Sequence, residues 1–238
     1  MTEQWTEYPG LKCVVLCAGQ GRRLHPYTND IPKGLHQVNG RPILHYVVDY
    51  WRRYTQDFIF VVHYKKQDVI DFVRTLPINA VCVEQQELRG IANALTYARP
   101  SVEDRFILVL GDCMCDGTFL FPDNMQQGVA IWETEDLDAI RRSYSVEVGE
   151  KGLVSQVVEK PKTLPNKWCG LGYYFFDQRV FDYIQQTPPS KLRGEVEITD
   201  VIQKMVAGSE SIAAIVYQGH YINITFPDDL HQAEAIFR

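Results

Sequence analysis

The residues best placed to do chemistry sit in one polar loop, Cys17 to Leu35, directly after an apolar run. Gly19 and Gly21 let the backbone approach a ligand closely and turn N–H groups toward phosphate oxygens. Arg22, Arg23 and Lys33 add positive charge to the same loop. This is phosphate-binding chemistry, but two familiar glycine motifs do not fit. A dinucleotide fingerprint needs Gly or Ala at Leu24 and an immediate helix, which Pro26 and Pro32 oppose. A Walker A loop needs Gly-Lys followed by Ser or Thr, and Lys33-Gly34-Leu35 has neither order nor hydroxyl. A second chemical residue, Asp112, closes the apolar run LVLGD. A carboxylate at the carboxyl end of a buried strand shares the sheet edge where ligands gather. Hard oxygen of this kind suits Mg²⁺, with phosphates and waters completing its shell.

These side chains need a rigid frame, and the hydrophobic pattern supplies one. Leu11 to Leu16 and Phe58 to Val62 are short, nearly continuous apolar runs, as in strands covered on both faces, Ala80 to Val83 reads as a short strand and Phe106 to Leu110 as the next. Helical stretches separate them: one opened by Pro42, one over Lys65 to Thr75 and one over Gly90 to Ala98. Alternating strands and helices predict a parallel sheet with helices on both faces. The second half is richer in strand patterns. Tyr144 to Val148 and Leu153 to Val158 flank GEKG, a hairpin signal. Cys169 to Phe176 and Ile212 to Tyr217 read as strands, and Phe181 to Gln186, Val196 to Ala207 and Pro227 to Phe237 as helices. No Pro-, Gly- or Ser-rich linker divides the chain and no repeat appears. The fold class expected is α/β: a three-layer, Rossmann-like, mixed but mainly parallel sheet with a small β-rich lobe. A single domain over 1–238 is expected, with no C-terminal β-helix.

Composition narrows the function. The 238 residues carry a formal net charge of −6, which argues against general nucleic-acid binding and leaves room for a local cationic pocket. No apolar run reaches the length of a membrane span, and the first ten residues lack a signal-peptide pattern, so no membrane partner and a cytoplasmic location are expected. The six cysteines have neither disulfide-framework density nor zinc-site spacing, so they read as buried reduced thiols. The six histidines share no ligand spacing and read as surface or satisfied residues.

GQGRRLHPYTNDIPKGL, beginning at Gly19, resembles the signature of the sugar-1-phosphate nucleotidyltransferases, G-x-G-[ST]-R-L-x-P-x-T-x-x-x-P-K-x-L. The resemblance covers nearly the whole chain and is nearest in motif to the glucose-1-phosphate thymidylyl- and uridylyltransferases. It implies that Ala18, Gly19, Gly21 and Arg22 cradle the nucleotide, that Arg23 holds the triphosphate and that Lys33 stabilises the α-phosphoryl group. Gln85 and Gly90 match the element that reads the nucleobase, where an amide offers both donor and acceptor; Gln86 stays open as the alternative. Asp112 matches a metal-binding aspartate. VVEKP resembles the sugar-phosphate element, with Glu159 accepting from sugar hydroxyls and Lys160 on the phosphate. GLGYYFFD matches the following strand, so Gly170 and Tyr173, or Tyr174, would line the sugar pocket. RGEVEITDV, from Arg193, resembles the matching run of the thymidylyltransferases and is expected to be mainly structural, with Glu195 or Glu197 near the sugar.

Three positions depart from the family pattern. Arg22 stands where a small hydroxyl residue is usual. Ser145 replaces a glycine that lets the sugar approach, so glucose is not assured. In YINITFPDDL, Asn223 takes the place of the second metal-binding aspartate; its amide oxygen can ligate Mg²⁺ with less charge. The implied activity is Mg²⁺-dependent transfer of a nucleotidyl group from an NTP, UTP or dTTP favoured, to a sugar 1-phosphate, for polysaccharide or glycoconjugate precursors. About 11–115 would hold the nucleotide and about 116–238 the sugar phosphate. The alternatives are a CTP- or GTP-dependent enzyme acting on heptose, mannose or choline phosphate, and a non-catalytic binding domain. Homo-oligomer formation is left open.

Overall fold

A computed structural model describes residues 8–191 and 194–238. Arg193 and the start of the N-terminal segment therefore lie outside the described residues. The strands are β1 (Lys12–Leu16), β2 (Gln37–Val38), β3 (Arg41–Pro42), β4 (Asp57–Val62), β5 (Asn79–Glu84), β6 (Phe106–Leu110) and β7 (Cys113–Cys115). The later strands are β8 (Thr118–Leu120), β9 (Gln127–Glu133), β10 (Tyr144–Val148), β11 (Val154–Glu159), β12 (Trp168–Phe176), β13 (Ile212–Gln218) and β14 (Tyr221–Asn223). The helices are α1 (Ile43–Trp51), α2 (Lys66–Val73), α3 (Gly90–Ala98), α4 (Leu137–Arg142), α5 (Arg179–Gln186), α6 (Ile198–Ala207) and α7 (Pro227–Ile236).

The main sheet runs β5-β4-β1-β6-β12-β9-β13-β8, with the β10–β11 hairpin attached through β12. The β5, β4, β1 and β6 strands are parallel; β4, β1 and β6 are buried apolar runs, and β5 is the largely exposed edge strand. β12 is antiparallel to both β6 and β9, and β9 and β13 run parallel to each other. α1, α2 and α7 pack on one face around Trp51, Phe60 and Tyr173. α3, α5 and α6 pack on the other around Leu108, Tyr174 and Phe181. The result is the three-layer α/β architecture. The β-rich lobe is a hairpin continuous with the main sheet: Tyr144 pairs with Gly170 on β12 and with Glu159 on β11.

Short elements escaped the sequence pattern. The loop after β1 is built from one-turn 3₁₀ segments at Arg22–Leu24, Tyr27–Asn29 and Lys33–Leu35. Leu24 is fully buried and pins the first of them. α4 is only six residues long, and the Asp136 carboxylate caps it by accepting from the Asp138 and Ala139 N–H groups. β7 and β14 pair only with each other, off the main sheet. Pairs of two or three residues are too short to show a period.

Candidate active site

β1 and β6 are adjacent and parallel, so their carboxyl ends open on the same edge. Gly111 N–H donates to the Leu16 carbonyl at 2.9 Å, drawing the two strand ends together. A cleft of about 340 Å³ lies there. Ala18, Gly19, Gly21 and Arg22 form one wall. Gly21 has φ +63°, and a Cβ there would lie 3.0 Å from Thr28 Cγ2, so the turn needs glycine. Gly19 has open space where a side chain would stand, which is what close approach of a phosphate requires. The loop is tied back by Thr28 Oγ1 donating to the Gly21 carbonyl at 2.9 Å and Tyr64 Oη donating to the Thr28 carbonyl at 2.9 Å. Arg22 Nε donates to Gln20 Oε1 at 2.8 Å, which holds this departure from the pattern along the loop.

Arg23 and Lys33 both line the cleft. Arg23 faces the Phe226 ring, its Cζ 5.7 Å from the centroid, and no carboxylate among the described residues pairs with it. Lys33 instead donates to Asp112 Oδ2 at 2.5 Å. The opposite end of the cleft holds Gln85 and Gly90. The Gln85 amide is 2% exposed, and its Nε2 donates to the Glu87 carbonyl at 2.9 Å and to Asn93 Oδ1 at 3.0 Å. Since Glu87 offers a backbone carbonyl, the nitrogen must face it, and the Gln85 oxygen remains as the acceptor for a ligand. Gly90 has φ +85°, and a Cβ there would lie 2.8 Å from Glu195 Oε2.

Asn223 reaches the same region through β14. It pairs with Cys113 on β7, and the Ile224 N–H donates to the Asp112 carbonyl at 2.9 Å. Its amide oxygen accepts from Thr225 Oγ1 at 3.2 Å. Thr225 and Arg23 line both the main cleft and a second one, which Asn223 lines. Asp112, on the main cleft, and Asn223, on the second, offer hard oxygens of the kind that fits Mg²⁺. No cluster of three or more His, Cys, Asp or Glu that could hold a metal by itself occurs among the described residues. A single carboxylate and an amide suit an ion whose remaining ligands are substrate phosphates and water.

The sugar-phosphate residues are placed less uniformly. Glu159 ends β11 and accepts from Thr199 Oγ1 on α6 at 3.4 Å. Lys160 follows with φ +45°, its N–H donating to the Ser143 carbonyl at 2.9 Å. Tyr173 does not line the expected pocket. It is fully buried on the α1 side of the sheet, its ring against Trp51, Phe119 and Tyr221. Side chains alternate along a strand, so Tyr174 faces the other way, toward Glu159. Burial and then the Glu159 carboxylate push the Tyr174 hydroxyl pKa up. Ser145 is 2% exposed and lines neither cleft. Gly170 is also a packing position: a Cβ would fall 1.9 Å from the Tyr144 ring. Asp116, too far along for a metal role, accepts from the His220 backbone N–H and contacts its ring Nδ1, each at 2.9 Å.

All six cysteines are free thiols. Cys17, on the cleft wall, has its thiol pKa raised by burial and by Cys82, which keeps it protonated. No helix of the described residues is long and apolar enough to cross a membrane.

The pattern of the nucleotidyl transferase family matches residues 12–235, which spans both the phosphate loop and Asn223. The chain belongs to the nucleotidyl transferase family. This nucleotidyl transferase is 32% identical over 234 residues to the UTP–glucose-1-phosphate uridylyltransferase AglF of Haloferax volcanii, covering 94% of this chain and 95% of that protein. It is 27% identical over 230 residues to the bifunctional protein GlmU of Methanocaldococcus jannaschii, covering 94% of this chain but 53% of that one; it spans about half of that relative's length. Among solved structures, a UDP-glucose pyrophosphorylase complexed with UDP-glucose superimposes with a TM-score of 0.80 at 20% identity, covering 94% of this chain and 97% of that one. That likeness is one of fold. The nucleotidyl transferase is an enzyme by family, and its glycine-rich loop, Lys33 and Asp112 meet in one cleft.

Proposed function

We propose that this nucleotidyl transferase moves the nucleotidyl group of UTP or dTTP onto a sugar 1-phosphate and releases pyrophosphate, supplying an activated sugar for glycan synthesis in the cytoplasm. The observation that carries the reading is the gathering of Arg23, Lys33, Asp112 and Gln85 around one cleft. The likeness to AglF over nearly the full length of both chains supports the sugar 1-phosphate. The base preference follows from Gln85. With its N–H groups held by Glu87 and Asn93, it meets a base as an acceptor, which suits the ring N–H of uracil or thymine.

In the reaction, a phosphate oxygen of the sugar 1-phosphate attacks the α-phosphorus. A new P–O bond forms, the α–β bridging P–O bond breaks, and pyrophosphate leaves with the electron pair. Such a transfer is catalysed mainly by positioning and charge stabilisation. The glycine wall at Gly19 and Gly21 admits the phosphates, and Arg23 balances charge on the triphosphate and the leaving pyrophosphate. Lys33 exchanges Asp112 for the α-phosphoryl oxygens. Lys160 holds the nucleophilic phosphate, and Glu159 with Tyr174 contacts the sugar hydroxyls. Asp112 and Asn223 would hold Mg²⁺, which supplies neutralisation of phosphate repulsion when bound. The nucleotide half is about 11–115 and the sugar-phosphate half about 116–238 of a single unit.

Pyrophosphate release measured over a matrix of four NTPs and several sugar phosphates with Mg²⁺ tests this. Turnover with UTP or dTTP and a hexose 1-phosphate is expected. Turnover confined to CTP or GTP with another phosphate would overturn the substrate choice. No turnover with any pair would make the chain a binding domain.

A further inference from the structure

Arg23 and Lys33 both line the main cleft, and the fold holds them in different ways. Lys33 is held through its ammonium, which donates to Asp112, so a phosphate must displace that carboxylate to reach it. Arg23 has no carboxylate partner and no hydrogen-bond acceptor among the described residues. Its guanidinium lies over the Phe226 ring, with Cζ 5.7 Å from the centroid, inside the ~6 Å reach of a cation–π contact. A guanidinium is planar, and its N–H donors point outward in that plane. A carboxylate partner occupies those donors, whereas an aromatic ring takes the face. The ring therefore fixes the group and leaves its donors to phosphate oxygens.

Phe226 is poorly placed to serve the core. It is 38% exposed and belongs to neither of the two core clusters. Its backbone, by contrast, is fixed. The Thr225 and Phe226 N–H groups both donate to Oδ2 of the buried Asp229, each at 2.7 Å. Pro227, with its ring-fixed φ, follows at the start of α7. On the other side, the Ile224 N–H is bonded to the Asp112 carbonyl. The short segment from Asn223 to Phe226 is thus tied at both ends, and it carries an exposed ring beside the cleft that Thr225 lines.

We propose that Phe226 is the positioning residue for Arg23: its ring holds the face of the guanidinium and presents the N–H edge, unpaired, to the triphosphate and the departing pyrophosphate. The assignment rests on the proposed function for what Arg23 holds. Without the ring the long arginine side chain is ordered only when phosphate arrives, and that ordering costs binding free energy. With it, phosphate meets a cation already in place and displaces no partner.

Pyrophosphate is the probe, since it has neither base nor sugar and reads the phosphate contacts alone. Calorimetry of pyrophosphate with Mg²⁺ on the whole chain compares the wild type with Phe226→Leu, Phe226→Tyr, Arg23→Ala and the double variant Arg23→Ala with Phe226→Leu. Leucine keeps apolar bulk and removes the ring face. Phe226→Leu is expected to weaken binding about three- to tenfold, as for a cation on an aromatic face at a partly exposed site, and Phe226→Tyr to keep wild-type affinity. Adding Phe226→Leu to Arg23→Ala should change nothing further, because the ring acts through the guanidinium. Steady-state kinetics should show the same weakening in KM for the NTP, with KM for the sugar 1-phosphate unchanged. Wild-type affinity in Phe226→Leu would overturn the proposal, as would a loss of equal size on the Arg23→Ala background. A loss in Phe226→Tyr matching that in Phe226→Leu would also overturn it, by making shape rather than the ring face decisive. Calorimetry needs no turnover, so a chain that binds pyrophosphate in this pattern and transfers no nucleotide would sink the proposed function and leave the pairing of Phe226 with Arg23 standing.

Discussion

Lys33 Nζ lies 2.5 Å from Asp112 Oδ2, an ion pair that joins the end of the glycine-rich loop to the end of β6 across 79 positions of sequence. The two side chains are 15% and 27% exposed, so the pair is partly sheltered and still reachable by a ligand. A phosphate entering the cleft competes with the carboxylate for the ammonium, and a cation competes with the ammonium for the carboxylate. The pair therefore holds both groups in place until substrate exchanges with it. Replacing Lys33 with Met should lower turnover at least a hundredfold while costing only about 1 kcal/mol of stability, as for a partly exposed pair. Steady-state kinetics beside a urea melt checks both; a folded variant with near-normal turnover would remove Lys33 from the mechanism.

Arg23 makes no ion pair among the described residues, so its charge is available to substrate. Arg23→Ala is expected to reduce turnover by about 10²–10³, the usual loss for one preorganised charge on a developing anion. Its melting temperature should match that of the wild type. A loss of stability of the same order as the loss of activity would make the residue structural.

Asn223 supplies an amide where a carboxylate would add charge to the cation site. Asn223→Asp should lower the Mg²⁺ concentration for half-maximal rate by about tenfold or more, because one more formal charge at ~4 Å in a partly solvated site is worth a few kcal/mol. Mg²⁺ titrations at saturating NTP, with calorimetry of Mg²⁺ binding, read this out. An unchanged titration would show that Asn223 does not face the ion.

His36 follows the phosphate loop and is buried, with Nε2 lacking a partner. Burial lowers its pKa from the ordinary 6.5, and hydrogen bonds to the Tyr27 and Ile31 backbone oppose the shift without reversing it. The unfolded chain therefore takes up the proton first as pH falls. Stability from this residue is full above pH 6.5 and declines below it, toward the lowered folded value. Thermal melts at pH 7.5 and 5.5 should differ in this direction, and His36→Gln should narrow the difference. An unaltered gap in the variant would assign the pH dependence elsewhere.

Gly170→Ala tests whether that glycine serves packing. Its Cβ would stand 1.9 Å from the Tyr144 ring, which is stacked on Tyr174 and cannot step aside freely. A loss of about 1–3 kcal/mol is expected from overpacking. Tyr144→Leu in the same background should restore part of it; no recovery would mean that backbone strain dominates.

The sequence by itself determined the strands and helices of the first half, since runs such as FIFVV and FILVL are long enough to carry a period and bury on both faces. The glycine-rich loop was legible too, because Gly19, Gly21, Arg23 and Lys33 are close in the chain. What only the tertiary structure decided depends on contacts between distant residues. The pairing of β7 with β14, which carries Asn223 to the edge beside Asp112, spans more than a hundred positions and involves three residues a side, too few for any pattern. Which of Tyr173 and Tyr174 lies toward Glu159 turned on the face of β12 that each side chain takes, and a strand apolar on both faces gives no alternation to read. The burial of Ser145, the packing role of Gly170 and the second cleft between α4 and α7 follow from the same cause: a site built between elements exists only once the elements have packed.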